Sequence, residues 1–149
     1  MRRLTQTAGT KVVSRASAEQ IGTVSRAMVD PDGHRIVALQ VGKGRLVDWE
    51  ALTGVGAGAV VVDDGSRVRG PEDEREHRAV RGELDLEGKL VLSDAGNELG
   101  TVADLEFDEA SGVVEMVVTT EGRIAGDRLR AIGSYCVVVA RAPEAELSG

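Results

Sequence analysis

Two histidines, one cysteine and two close aspartate pairs are the residues of this 149-residue chain best suited to catalysis or metal binding. His34 follows a DPDG turn and His77 lies in a charged stretch, and neither has a nucleophile or a metal-ligand motif beside it. Cys136 alternates with Val138 in SYCVVVA, which puts the thiol in a strand wall, where a free cysteine behaves as a small hydrophobe. Asp30 with Asp32, and Asp63 with Asp64, offer hard oxygen ligands, but the loop spacing that ends in a twelfth-position glutamate is absent. Aspartates bonding their own turns account for both pairs. GVGAGA at 54–59 looks like a dinucleotide loop, yet such a loop needs a strand before it and a helix after it, and here VVV follows. VGKGR at 41–45 lacks the hydroxyl residue that follows lysine in a phosphate loop. These residues predict no catalytic set, no metal site and no bound cofactor.

The elements that would position any site are mostly strands. Hydrophobic residues make up 42% of the chain but include only one Phe, one Trp and one Tyr, so the core must be built from Val, Leu, Ile and Ala. In ELGTVADLEFD, residues 98–108, Leu99, Thr101, Ala103, Leu105 and Phe107 alternate with a largely polar set, the period of a half-covered strand. The glycine-ended turns DPDG and DEASG that follow such stretches are hairpin signals. IVALQV at 36–41 and VVEMVV at 113–118 are apolar on nearly both faces and should be covered on each side. DWEAL and GDRLRAI each suggest a single helical turn.

The chain repeats itself. QIGTVSRAMVDPDG at 20–33 parallels ELGTVADLEFDEASG at 98–112. KVVS at 11–14 parallels LVLS at 90–93, IVALQV parallels VVEMVV, GRL at 44–46 parallels GRI at 122–124, and EALTGVGAGAVVV parallels DRLRAIGSYCVVV. A period near 78 residues exceeds the roughly 20–50 residues of a solenoid unit, so each copy is expected to be a small domain. A barrel of about 60 residues buries little of its surface, so the two copies should stabilise one another as a fused pseudo-dimer, their doubly apolar strands facing each other. The boundaries read from the sequence are 9–69 and 83–142, with a charged linker at 70–82 and a flexible tail at 143–149. In the linker, Glu74 and Arg78 have i,i+4 spacing, which suits a short solvated helix or an extended connection.

The LVLS-type strand, the turn at Gly96, LGTVADLEFD, Gly112, the Val-rich strand and IGSYCVVV together resemble the PRC-barrel domain. That domain forms the cytoplasmic part of the photosynthetic reaction-centre H subunit and the C-terminal part of a ribosome-maturation factor. Residues about 84–142 match best, and about 9–69 follow the same outline. The resemblance implies an all-β protein of two tandem PRC-type barrels, each with a short helical turn. It also implies action through protein contacts and brings no catalytic residues. This chain lacks the H subunit's membrane helix, and it carries a second copy where the maturation factor has a different domain.

The net charge of −7 argues against direct DNA binding, because phosphate contacts come chiefly from Lys and Arg. The charge is uneven: residues 1–69 carry +3, from ten cationic and seven acidic side chains, whereas residues 83–149 carry −9, from five and fourteen. No apolar run reaches the 18 or so residues of a membrane span, and MRRLTQTAGTKVV has no apolar core after its arginines. The expected setting is therefore cytoplasmic, with which a lone cysteine agrees. Trp49 could cap a barrel or anchor a partner, capping being the ordinary role of a large aromatic. Asp104, Glu106 and Asp108, with Glu109 and Glu115, form a solvated acidic face and a second candidate surface. Arg26 and Met28 stand in the first copy where Asp104 and Glu106 stand in the second, so the candidate partner surface is Trp49, Arg26, Met28, Asp104, Glu106 and Asp108. The expected function is an adaptor for protein partners, with ribosome assembly or RNA processing as the alternative, and the outer sheet edges could pair again as a homodimer.

Overall fold

The computed structural model describes residues 1–142; the expected tail at 143–149 lies outside the described residues. A short strand β1 (Arg2–Arg3) and one helical turn α1 (Leu4–Thr7) lead into the first copy. Its strands are β2 (Lys11–Ser14), β3 (Gln20–Asp30), β4 (Arg35–Val41), β5 (Arg45–Asp48), β6 (Leu52–Val55) and β7 (Val60–Val62). A 3-10 turn, Trp49–Ala51, joins β5 to β6. The charged stretch contains a helix, α2 (Glu74–Val80), whose Asp73 N-cap accepts a hydrogen bond from the Glu76 amide. The second copy repeats the order as β8 (Leu90–Ser93), β9 (Glu98–Phe107), β10 (Val114–Thr119), β11 (Gly122–Ala125), β12 (Leu129–Ile132) and β13 (Cys136–Val139). Its 3-10 turn is Gly126–Arg128.

Each copy forms one curled sheet. The orders are β5-β4-β3-β2-β7-β6 and β11-β10-β9-β8-β13-β12, and β1 adds to β9. The β2–β7 and β8–β13 pairs are parallel and all others antiparallel. The long strands β3 and β9 make the curl possible, since each pairs with β2 or β8 along its first half and with β4 or β10 along its second. One hydrophobic cluster runs through both copies. It includes Val12, Leu39, Val60 and Val62 from the first and Val91, Leu105, Phe107 and Val137 from the second, all fully buried. Two domains of this size thus share a core that neither would complete alone.

The structure corrects two details of the repeat. Val29 pairs with Ile36 and Phe107 with Val114, so the copies stay 78 residues apart straight through this hairpin. His34, not Gly33, is therefore the counterpart of Gly112, and both adopt positive φ, 55° and 77°. The second detail is cover. From Ala38 to Val41, β4 is buried on both faces, but β10 buries only Val114, Val117 and Thr119, with Met116 and Val118 partly exposed.

Candidate functional site

The tips of the β3–β4 and β9–β10 hairpins meet. The Ile36 amide donates to the Gly112 carbonyl and the Val114 amide to the His34 carbonyl, both at 2.8 Å, closing an antiparallel bridge between Arg35 and Val113. Ile36 is equivalent to Val114, His34 to Gly112 and Arg35 to Val113 at the 78-residue offset, so each bond is the counterpart of the other and the bridge lies on a local pseudo-two-fold axis. Such a contact is self-complementary, as in the interface of a two-fold dimer.

Trp49 stands over this bridge. Its indole is 6% exposed, meets Phe107 of the second copy edge-on at 6.0 Å and 88°, and donates Nε1–H to the Ala110 carbonyl at 3.4 Å. A buried indole needs such an acceptor, and the edge-on ring geometry is the favoured one. Gly112 makes room for it: a Cβ there would lie 2.9 Å from the indole. Trp49 thus fills the joint between the copies and is not an open anchor.

The lead-in segments strengthen the joint by crossing over. Residues 2–3 pair with Phe107 and Glu106 of β9. Thr5 donates its amide to Asp104 Oδ1 at 3.1 Å and its hydroxyl to Asp104 Oδ2 at 2.6 Å. In the other direction, Arg26 on β3 donates Nε–H to Asp85 at 3.0 Å and Nη1–H to the Val80 carbonyl at 3.4 Å. Arg26 and Asp104 are equivalent positions. Each is met by the segment that precedes the other copy.

Asp104 and Glu106 are 9% and 8% exposed, which corrects the reading of a solvated acidic face. Glu106 accepts from Nη1 and Nη2 of Arg123, with Arg3 at 3.5 Å. The hydrogen bonds from Arg123 hold the Glu106 carboxyl below the usual carboxylate range. Met28 is partly buried and packs against the core. Asp108 caps its own turn, accepting from the Ala110 and Ser111 amides, and these lower its pKa. Glu109 and Glu115 are exposed. The six candidate surface residues thus divide between the joint, the core and a turn.

His34, Asp30, Asp64 and GVGAGA each have local partners. His34 Nε2 lies 3.4 Å from Arg130 Nη1, across the joint. Asp30 accepts from the Asp32 amide and Asp64 from the Ser66 amide. GVGAGA connects β6 to β7, with the Gly56 amide donating to the Ala59 carbonyl. Among the described residues, no three His, Cys, Asp or Glu side chains gather as a metal site. No helix among them is long and apolar enough to cross a membrane.

A further network lies on the first copy's edge. Arg69 donates to Asp48 at 2.6 Å and to both Glu76 oxygens at 2.8 and 2.9 Å, raising its own pKa and lowering that of Glu76. Sequence reasoning missed this residue and both lead-in segments. The signal was present for the segments: Gly9 and Gly88, with φ of 86° and 84°, extend the repeat upstream of KVVS and LVLS.

Comparison with known families agrees with this duplicated geometry. The PRC-barrel domain matches residues 1–69 and again residues 84–141. No curated protein matches the chain.

Proposed function

The chain belongs to the PRC-barrel family, and we propose that it is a non-enzymatic adaptor holding protein partners at two fixed faces. PRC-barrel domains are interaction and assembly modules. The observation that carries the reading is the joint. The bridge on the pseudo-two-fold axis, Trp49 and the crossed lead-ins make one body of two modules, so anything bound to one copy is held at a set orientation to anything bound to the other. Of the ionisable groups singled out in the sequence, Glu106, Asp104 and Arg26 serve this architecture.

Affinity capture of the full chain from its native lysate, followed by quantification of stoichiometry, tests the proposal. A discrete protein partner near 1:1 is expected. Capture of no partner under several salt conditions, together with no effect of deleting the gene, overturns it. Co-sedimentation with the small ribosomal subunit would direct the adaptor role to ribosome assembly.

A further inference from the structure

We propose that the groove between β6 and the β9–β10 turn receives an arginine side chain from an extended segment of a partner protein. The inference rests on the adaptor reading and gives it a surface. The template lies in the other half of the chain. Leu52, Gly54 and Val55 pair with Val62, Val61 and Val60, as Leu129, Ala131 and Ile132 pair with Val139, Val138 and Val137. β6 and β12 are therefore equivalent at an offset of 77 residues, and Thr53 stands where Arg130 stands. Arg130 is turned into the joint. Its Nη1 donates to the carbonyls of Asp127 at 2.8 Å and Leu129 at 3.0 Å, and lies 3.4 Å from His34 Nε2 on the β3–β4 hairpin.

The first copy's side of the joint has the same backbone without that filling. Thr53 is too short to cross it, and Gly112 and Ala110 take the places of His34 and Asp32. Trp49 fills the inner part, and beside it a groove of about 230 Å³ remains, lined by Trp49, Thr53, Gly54, Val55, Glu109 and Ala110, among others. The carbonyls of Glu50 and Leu52 stand where those of Asp127 and Leu129 receive Arg130. Thr53 gives its hydroxyl to the Val61 carbonyl and Trp49 its indole N–H to the Ala110 carbonyl, so neither supplies these oxygens. β6 ends its sheet, and among the described residues no strand pairs with its outer side. The last described residues lie elsewhere: Arg141 is held by Asp94 at 3.0 Å, beside the start of β9, whereas the groove lies past its end.

The rim selects a cation. Glu109 stands where the first hairpin has Pro31, and its ion-pair partner is Arg2 at 3.8 Å, beyond hydrogen-bond reach. Glu50 is exposed and makes no ion pair among the described residues. Two carbonyls and two carboxylates around one groove call for a cation with several donors. A guanidinium carries five N–H donors in a fixed planar fork, whereas an ammonium is a point charge with three. An extended segment brings the guanidinium there, because an unpaired strand edge supplies backbone bonds and alternate side chains then supply selectivity.

Titration of the ¹⁵N-labelled full chain with the end-blocked peptide Ser-Val-Arg-Val-Ser, followed by NMR, tests the inference. Saturable shifts centred on the amides of Leu52–Val55 and Ala110 are expected. Affinity should fall at least tenfold when the arginine becomes citrulline, which keeps the shape and removes the charge, or lysine, which keeps the charge and removes the fork. Thr53 is exposed, so Thr53→Arg leaves the fold intact, fills the groove from within the chain and should abolish the shifts. The proposal is overturned by absence of shifts in β6, by equal binding of the citrulline or lysine peptide, or by undiminished binding to the Thr53→Arg variant. It is also overturned if end-blocked arginine alone binds as tightly as the peptide, because the groove then reads no segment. A failed titration beside a successful affinity capture removes this groove and leaves the adaptor reading, whereas the reverse pair of results removes the adaptor.

Discussion

Trp49 and Gly126 are the same position in the two copies, the first residue of the 3-10 turn that follows β5 or β11. In the first copy the side chain reaches across to Phe107. In the second, no side chain fits, because a Cβ on Gly126 would lie 1.8 Å from the Val114 carbonyl oxygen. The pseudo-two-fold symmetry of the backbone bridge is thus broken by its side chains, and one indole serves both halves.

Truncating Trp49 to alanine should therefore destabilise the whole chain by about 3–5 kcal/mol, the range for emptying a buried aromatic site. Both copies should be affected, because the ring packs on each. Denaturant unfolding followed by circular dichroism, with hydrogen exchange read at Val12 and Val91, checks this. Loss of protection in the first copy alone would contradict the role of Trp49 as a joint. Gly126→Ala should also destabilise, by at least the roughly 1–3 kcal/mol typical of overpacking, since the obstacle is backbone.

Thr5 and Asp104 are 99 residues apart, and their two hydrogen bonds fasten the N-terminal segment to the second copy. Hydrogen bonds to a charged acceptor contribute about 1.5–3 kcal/mol. Thr5→Val should cost an amount at the low end of that range, and about 0.5 kcal/mol or less when Asp104 is already alanine. A double-mutant cycle measures the coupling. Equal costs in both backgrounds would show that the pair does not hold the segment.

The same pair shows where the sequence was legible. Alternation in ELGTVADLEFD and the repeated glycine turns specify strands and hairpins locally, and the Val-rich stretches specify what is buried. Arg26, Asp104 and Glu106 occupy polar positions of the alternation, which look alike whether water or another segment covers them. Their cover is supplied by residues 1–8 and 80–89, stretches whose elements are too short to show a period. Arg69 was hidden for a similar reason: its edge pairing with Leu46 is a single bridge.

Glu106 gives the joint a pH dependence. Hydrogen bonds from Arg123 lower its folded-state pKa, against a usual glutamate value of about 4.3. A depressed carboxylate contributes stability that is fully present above the unfolded value and disappears as pH falls through the folded one. Stability should therefore decline below about pH 4.3, and Glu106→Gln should flatten part of that decline while lowering stability at pH 7. Urea midpoints measured from pH 7 to pH 3 check the slope. An unchanged slope in the variant would place the acid sensitivity elsewhere, for example at Asp108, whose pKa is lowered by the Ser111 and Ala110 amides.

Ala18 and Gly96 occupy the same turn in the two copies, after β2 and β8, and both have positive φ, 58° and 87°. Glycine adopts this region without the clash that Cβ brings, a cost of about 1–2 kcal/mol for an L-residue, while its freer unfolded chain offsets part of the gain. Ala18→Gly should thus stabilise the chain by up to about 1 kcal/mol, and Gly96→Ala should destabilise it by a similar amount. Because the two copies share one core, both changes should move a single unfolding transition. Differential scanning calorimetry separates the outcomes: two resolved transitions, only one of which responds to each substitution, would mean that the copies unfold independently despite the joint.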